Sequence, residues 1–208
     1  MAIIAFIGNK GGAGKTTLAI NLASVLNQQA NTRLLDADPQ GSSLHWAAMA
    51  DDDSTPEIID ATADIASAVE QYRNNADHLV IDCPPALHSA QTQAALELCH
   101  VAVIPVLPSP LDLWATVAVD EALDGVRSIN PGLKPLLVIN QLEPRTKLSR
   151  LVGEAITELN IPAANTALRR RAVYRSSVLQ GKSVHQMGKV GAAATEEINQ
   201  LIAEVLTL

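Results

Sequence analysis

The sequence predicts a doubly wound α/β fold with a mostly parallel sheet flanked by helices. Short apolar runs of strand length alternate with longer segments whose apolar residues recur at helical spacing. Aromatic residues make up only 2% of the chain, so the core must be built from Ala, Val, Ile and Leu, as in parallel sheets that are covered on both faces. The length of 208 residues fits one unit, and we expect residues 1–208 to form a single domain.

Each predicted element follows from its local pattern. Strands are expected where a short β-rich apolar run occurs, at residues 2–7, 32–36, 78–82, 101–106, 136–140 and 165–168. Helices are expected where apolar residues recur every three or four positions, at residues 16–27, 42–50, 61–72, 86–98, 111–129, 148–159 and 192–206. An acidic loop is expected at residues 51–56. Strands and helices in this order form right-handed βαβ units, whose ligands bind beyond the carboxyl ends of the strands.

A glycine-rich segment, residues 8–17, follows the first strand and opens the first helix, with the sequence Gly-Asn-Lys-Gly-Gly-Ala-Gly-Lys-Thr-Thr. Glycines let backbone N–H groups converge on a phosphate, and the helix N-terminus adds the positive end of its dipole. Lys15 is placed to reach the β- and γ-phosphates, and the Thr16 hydroxyl to bind Mg²⁺. The segment therefore predicts a phosphate-binding loop, although Asn9 replaces the first glycine of the strict pattern; the alternative is a generic glycine-rich turn.

Carboxylates follow two further predicted strands. Asp36 and Asp38 belong to the sequence Asp-Ala-Asp-Pro-Gln-Gly, and Asp82 precedes Cys-Pro-Pro. Attack of water on a γ-phosphate needs a group that orients the water, and Mg²⁺ is bound by carboxylates while it keeps much of its hydration shell. These residues therefore predict a site for a nucleoside triphosphate and Mg²⁺. A polar turn with Asx caps is the alternative for Asp36 and Asp38.

Together these motifs resemble those of the ParA/MinD superfamily of deviant Walker A ATPases. The run Lys-Gly-Gly-Ala-Gly-Lys-Thr-Thr from Lys10 resembles the deviant Walker A loop, and the two carboxylate motifs resemble the second signature and the Walker B strand end. The proline-rich stretch at residues 104–112 adds to the likeness, which covers nearly the whole chain. The short length resembles the small ParF-like branch, so we expect no N-terminal helix-turn-helix domain.

The resemblance implies roles for the site residues. Lys10 is expected to cross an ATP-bound dimer and touch the phosphates of the partner, so that Lys10, Lys15 and Asp38 are catalytic, with Asp38 positioning the attacking water. Mg²⁺ is expected on Thr16, Asp36 and Asp82. The implied nucleotide contacts are Lys10, Gly11, Gly12, Ala13, Gly14, Lys15, Thr16, Thr17, Pro108 and Asn140. A rigid loop at Pro108 and a cap at Asn140 are the alternatives.

The charge distribution predicts a polyanion partner. The net charge is −7, yet residues 159–195 contain no Asp or Glu and six basic residues. Such asymmetry is typical of binding to nucleic acid, and a solvated basic turn is the alternative. By its resemblance to the ParA segment that contacts DNA, this stretch is expected to bind DNA non-specifically through Arg169, Arg170, Arg171, Arg175 and Lys182.

The function implied is a cytoplasmic, nucleoid-associated ATPase that forms a homodimer on ATP and positions a cargo with a ParB-like or cargo-adaptor partner. Plasmid or chromosome segregation is the first interpretation, with carboxysomes or chemoreceptor clusters as alternative cargoes and a dethiobiotin synthetase-like ligase as an alternative class. The final helix contains three Glu and no Lys or Arg, which argues against a MinD-like membrane role. Cys83 and Cys99 form no metal-binding motif, which argues against an iron–sulfur reductase.

Overall fold

The computed structural model describes residues 1–50, 55–144 and 160–208. Within them six strands form one parallel sheet. The strands are β1 (Ala2–Phe6), β2 (Thr32–Asp36), β3 (Glu57–Asp60), β4 (His78–Asp82), β5 (Val101–Val106) and β6 (Lys134–Ile139). Their order across the sheet is β3-β2-β4-β1-β5-β6. The expected α/β class with a parallel sheet is confirmed.

Helices cover both faces of the sheet, because the central strands are apolar at every position and must be shielded on both sides. One core lies against α3 (Ile65–Tyr72), α4 (Ala90–Leu98) and α6 (Thr116–Val126). The other lies against α1 (Lys15–Leu26), α2 (Ser42–Ala47), α7 (Ala172–Val178) and α8 (Gly188–Leu206). A short helix α5 (Pro110–Trp114) precedes α6, and a 3₁₀ turn, Val184–Met187, precedes α8.

Several predicted boundaries were wrong. The sequence pattern does not predict β3, a four-residue edge strand with only two apolar residues. Helices α3 and α4 begin later than expected, because Asp64 and Ser89 accept hydrogen bonds from Ser67 N–H and Thr92 N–H and cap the first turns. The helix expected at 111–129 is divided into α5 and α6 at Ala115, and α8 begins at Gly188 instead of residue 192.

The last predicted strand is also corrected. Residues 165–168 form no strand. The chain around them instead lies alongside β6 and the residues that follow it, through two isolated parallel bridges, Leu137 with Ala163 and Leu142 with Arg169. The helix expected at 148–159 lies outside the described residues, as does most of the loop expected at 51–56. Among the described residues, no helix combines the length and the apolar content that crossing a membrane requires.

Candidate nucleotide site

The strand order brings the predicted motifs to one edge of the sheet. Chain crossovers place β4 on one side of β1 and β5 on the other, so β1 ends at the topological switch point, where ligands of such sheets bind. In the register of β2 and β4, Asp36 lies directly beside Asp82. The glycine-rich loop leaves β1 next to Asp82 of β4, with Asp36 one strand further away, and leads into α1.

The loop has the backbone that its glycines permit. Gly12 and Gly14 have φ values of 82° and 98°, and Gly14 is the left-handed N-cap of α1. Only glycine adopts these angles without strain. Gly11 and Gly12 are exposed and Ala13 is buried, so the outer part of the loop is open while its inner part is fixed against the core.

Lys15 turns back into the loop that precedes it. Its ammonium group donates a hydrogen bond to the carbonyl oxygen of Lys10, within the same loop, over 3.1 Å. Burial lowers the pKa of Lys15, and the nearby carboxylates of Asp82 and Asp38 oppose this shift. The site therefore holds a cation that is poorly hydrated and close to two anions.

Asp82 is fully buried, and burial raises its pKa to about 7. The charge of Asp36 acts in the same direction, whereas Thr16, Ser43 and Lys15 favour the ionised form. Its Oδ2 accepts a hydrogen bond from the Ser43 hydroxyl at 3.0 Å, while Oδ1 has no hydrogen-bond partner among the described residues. A buried carboxylate oxygen without a partner is costly and marks a position for a ligand.

Asp36 organises the loop after β2. Its Oδ1 accepts the N–H of Asp38 at 3.1 Å, and its Oδ2 accepts the N–H groups of Ser43 and Leu44 at 3.0 and 3.1 Å. Burial raises the pKa of Asp36, and these hydrogen bonds work against the shift. The carboxylate therefore fixes both Asp38 and the first turn of α2.

The donor set fits Mg²⁺. Asp82 has a free oxygen, Thr16 lies close enough to lower its pKa, and Asp36 is its neighbour in the adjacent strand. Among the described residues no cluster of three or more His, Cys, Asp or Glu could hold a metal by itself. Mg²⁺ does not need such a cage, since it is commonly held by one or two carboxylates, waters and substrate phosphates.

Lys10 extends from the outer rim of the loop. Its ammonium group forms an ion pair with Asp112 of α5 over 3.0 Å, and its side chain is 43% exposed. Asp112 is itself held by the Ser109 hydroxyl. Sequence reasoning did not identify Asp112 as a partner, because the two residues are far apart in the chain.

Asn140 supports the loop from behind. Its Nδ2 donates to the carbonyl of Ala13 at 2.8 Å, and its Oδ1 accepts the N–H of Gln141 at 2.9 Å. A side chain at Gly14 would place its Cβ 2.3 Å from Asn140 Nδ2. In this structure the amide of Asn140 is thus bonded to protein atoms at both ends, which favours a supporting role over a direct contact with a base.

Gln141 is a site residue that sequence reasoning missed. It has a φ of 56°, the sole non-glycine residue with positive φ among those described, and its Nε2 donates to the carbonyl of Gly12 over 3.4 Å. Strained backbone of this kind is concentrated at functional sites. Nothing in the sequence predicts that the Gln after this apolar strand adopts a left-handed backbone conformation.

A cavity of about 690 Å³ opens beside the loop. Thr17 and Leu18 of α1, Asn140, Gln141 and Tyr174 contribute to its wall. The arginines of the predicted DNA segment also line it: Arg169, Arg170, Arg171 and Arg175. The structure therefore places these four arginines around the same cavity as Gly14 and Thr17 of the phosphate loop. Pro108 is half-buried in the turn after β5 and does not line this cavity.

Acidic residues distant in sequence neutralise most of these arginines. Arg171 forms a two-point ion pair with Glu197 of α8, with its closest contact at 2.6 Å, and Arg169 approaches the same carboxylate at 3.8 Å. Arg170 pairs with Glu143 at 2.7 Å. For Arg175 and Lys182 there is no ion pair within the described parts of the chain.

Helix α2 connects the carboxylate site to the stretch at residues 159–195, called the basic segment below. It begins at the residues bonded to Asp36 and Asp82, and the indole N–H of Trp46 donates to the carbonyl of Lys182 over 3.4 Å. The backbone just after α2 packs against Gly181, where a Cβ atom would lie 2.2 Å from the carbonyl oxygen of Met49. The exposed Lys182 is thus held by its backbone against α2.

Taken together, a phosphate-type loop between β1 and α1 and carboxylates at the neighbouring strand ends define a P-loop nucleotide-binding protein. The comparison with protein families gives the more specific result. The chain belongs to the family of the CobQ/CobB/MinD/ParA nucleotide binding domain, which matches residues 4–207.

Relatives extend over most of this chain. It is 42% identical over 200 residues to the maintenance of carboxysome distribution protein A of Halothiobacillus neapolitanus, covering 95% of this chain and 93% of the relative. It is 29% identical over 182 residues to the chromosome-partitioning ATPase Soj of Thermus thermophilus, covering 72% and 73%. The apo structure of McdA from Cyanothece has a TM-score of 0.80 at 19% identity over 99% of both chains, which shows a shared fold.

Proposed function

We propose that this chain is a ParA-type ATPase in which two copies enclose ATP and Mg²⁺ between them and use hydrolysis to position a cargo. The observation that carries the proposal is the arrangement of two lysines on one loop. Lys15 points into the loop, whereas Lys10 leaves it on the outer rim, 43% exposed. One chain uses Lys15 for its own phosphates, and Lys10, once released from Asp112, serves the site of a neighbouring chain.

The residues around the loop have distinct tasks in this mechanism. Backbone N–H groups of residues 11–17 and the N-terminus of α1 bind the phosphates, and Lys15 contributes its poorly hydrated charge to the terminal phosphate. Asp38, whose backbone N–H donates a hydrogen bond to Asp36, orients the attacking water. Thr16, Asp36 and Asp82 would hold Mg²⁺, which when bound neutralises charge that develops on the phosphate oxygens.

Lys10 acts in trans. An ammonium group donated by the second copy stabilises charge on the transferred phosphoryl group, as an arginine finger does in other phosphate-transferring enzymes. The Lys10–Asp112 pair must open for this to happen. Because Lys10 is largely exposed, this ion pair is expected to contribute only about 1 kcal/mol to stability even though Asp112 is 14% exposed, so contacts across the dimer can offset its loss.

Substitution of Lys10 tests the proposal. Lys10→Ala should retain ATP binding by the single chain but lose ATP-dependent dimerisation and partner-stimulated hydrolysis, measured by sedimentation velocity and phosphate release. Lys189→Ala removes an exposed lysine of α8 and serves as the matched control. Dimerisation and hydrolysis of Lys10→Ala at the level of the control would refute the trans role.

We further propose that the dimer binds nucleoid DNA non-specifically through the basic segment, in the cytoplasm and with no membrane partner. Arg175 and Lys182 are exposed and have no ion pair among the described residues, so they are the foremost candidates for phosphate contacts. Arg169, Arg170 and Arg171 line the same cavity as Arg175 but are engaged with carboxylates. We assign them a secondary part in DNA binding.

The cargo we propose is a carboxysome, carried through an adaptor protein. The support is the relative named for carboxysome distribution, which shares 42% of its residues over nearly the full length of both chains. Plasmid or chromosome segregation with a ParB-like partner is the second candidate, supported by the likeness to Soj. In cells that lack this chain, fluorescently labelled carboxysomes should cluster while plasmid loss stays unchanged; the reverse result would favour segregation.

A further inference from the structure

Two consecutive amide side chains lie behind the phosphate loop, immediately after β6. Asn140 donates a hydrogen bond to the carbonyl of Ala13 over 2.8 Å. Gln141 donates to the carbonyl of Gly12, one residue earlier in the loop, over 3.4 Å. The two segments approach closely, because a Cβ atom at Gly14 would lie 2.3 Å from Nδ2 of Asn140. Two adjacent side chains thus contact two adjacent peptide groups of the loop.

These contacts set the direction of the N–H groups on the other side of the same peptides. The carbonyls of Gly12 and Ala13 belong to the peptides that carry the N–H groups of Ala13 and Gly14. In a trans peptide the C=O and N–H bonds point in opposite directions, so both N–H groups point away from the two amide side chains. Neither N–H donates a hydrogen bond to another described residue. Two backbone donors are therefore held in place and remain available to a ligand.

The backbone of Gln141 is strained. Its φ of 56° lies in the left-handed region, which non-glycine residues other than Asn, Asp and His seldom adopt, and which glycine would adopt at less cost. In this conformation the N–H of Gln141 donates to Oδ1 of Asn140 over 2.9 Å. The turn thereby joins both amides and both loop carbonyls in one hydrogen-bonded network. Strain of this kind persists where the surrounding structure uses it.

We infer that Gln141 is a positioning residue for the nucleotide phosphates, and that its strained backbone is retained for the sake of its side-chain amide. Together with Asn140 it orients and polarises the peptide groups whose N–H donors meet a phosphate, because linked hydrogen bonds strengthen one another. Gln141 acts through the loop and does not itself touch the nucleotide. The inference rests on the proposed function in one respect, namely that this loop binds nucleotide phosphates.

A direct contact with the nucleoside is the competing explanation, because Gln141 also contributes to the wall of the cavity of about 690 Å³. Inorganic pyrophosphate separates the two roles, since it offers phosphates without a base or a sugar. A residue that acts through the loop should affect the binding of pyrophosphate and of ADP equally. A residue that contacts the nucleoside should affect the binding of ADP alone.

Two substitutions separate the amide from the backbone strain. Gln141→Gly removes the amide and relieves the backbone, whereas Gln141→Met removes the amide and keeps a side chain of similar length. We expect each variant to bind ADP and pyrophosphate about three- to ten-fold more weakly, the usual contribution of one hydrogen bond. Competition with a fluorescent ADP analogue in the presence of Mg²⁺ measures both affinities. The thermal unfolding midpoint of the ligand-free chain should be higher for Gln141→Gly than for Gln141→Met.

Gln200→Met is the matched control, because it makes the same change at an exposed position of α8, where the amide bonds to Glu196. It should bind both ligands as the unsubstituted chain does. Unchanged affinities in Gln141→Gly would refute the inference, and so would weaker binding of ADP with unchanged binding of pyrophosphate. An unfolding midpoint of Gln141→Gly below that of Gln141→Met would refute the part assigned to strain. If the unsubstituted chain bound neither ligand, the proposed function would fail together with the inference.

Discussion

The phosphate-loop edge and the basic segment differ in how their charges are balanced. At the loop, Lys15, Asp36 and Asp82 are buried without an ion-pair contact within 4 Å among the described residues, and burial shifts their pKa values. In the basic segment, Arg171 has its charge met by the carboxylate of Glu197, and its pKa is raised mainly by that hydrogen bond. The buried charges at the loop are suited to binding a charged ligand, whereas most arginines of the basic segment already form ion pairs within the chain.

This difference shows why net charge along a sequence is a poor guide to charge on a surface. Residues 159–195 contain six cations and no acid. In space, Glu197 of α8 and Glu143 of the β6 loop approach three of those cations within 4 Å. The available positive charge is thus smaller than the sequence indicates, and it is concentrated at the three exposed cations without an ion pair among the described residues, Arg175, Lys182 and Lys189.

The largest expected effect is at Lys15. Lys15→Ala should lower ATP hydrolysis by on the order of hundred-fold or more, as removal of one strong electrostatic contact to a reacting group does. The stability of the ligand-free chain should change little, because the burial cost of the ammonium group and its attraction to Asp82 and Asp38 oppose each other. Phosphate release and thermal unfolding measure the two effects. A large loss of stability would show that Lys15 mainly holds the fold.

An intermediate effect, on the free energy of unfolding, is expected at Arg171, which forms an ion pair with Glu197. Arg171→Ala leaves Glu197, whose side chain is only 11% exposed, without its two-point partner. We expect a loss of about 1–3 kcal/mol in the free energy of unfolding, measured by urea denaturation. Lys182→Ala, at an exposed position without such a partner, is the control and should lose less than about 0.5 kcal/mol. Equal stability of the two variants would show that the ion pair with Glu197 contributes nothing to the stability of the fold.

The smallest expected effect is at Arg175. Arg175→Ala should leave stability within about 0.5 kcal/mol of the original. It should reduce by about one the slope of log affinity for duplex DNA against log salt concentration, since one phosphate contact is lost. The measurement is fluorescence anisotropy with ATP, Mg²⁺ and plain duplex DNA at several salt concentrations. Arg171→Ala provides the comparison, and an equal or larger change of slope there would reverse the ranking of the two arginines.

The parts of the molecule that were predictable are those encoded locally. The glycine-rich loop and the strands ending in Asp36 and Asp82 are each specified within about ten neighbouring residues, and the parallel sheet then brings them together. Strand β3 was missed because four residues with two apolar side chains gain their structure only by pairing with β2. Gln141 and Asp112 were missed because their contacts join residues more than one hundred positions apart.

Helix α2 contacts both the phosphate-loop edge and the basic segment. In its first turn the hydroxyl of Ser43 is hydrogen-bonded to Asp82, and just beyond its last residue the carbonyl of Met49 lies so close to Gly181 that no side chain would fit between them. We therefore expect a displacement of α2 at Ser43 to shift the backbone at Gly181 and Lys182, because the residues after α2 pack directly against it.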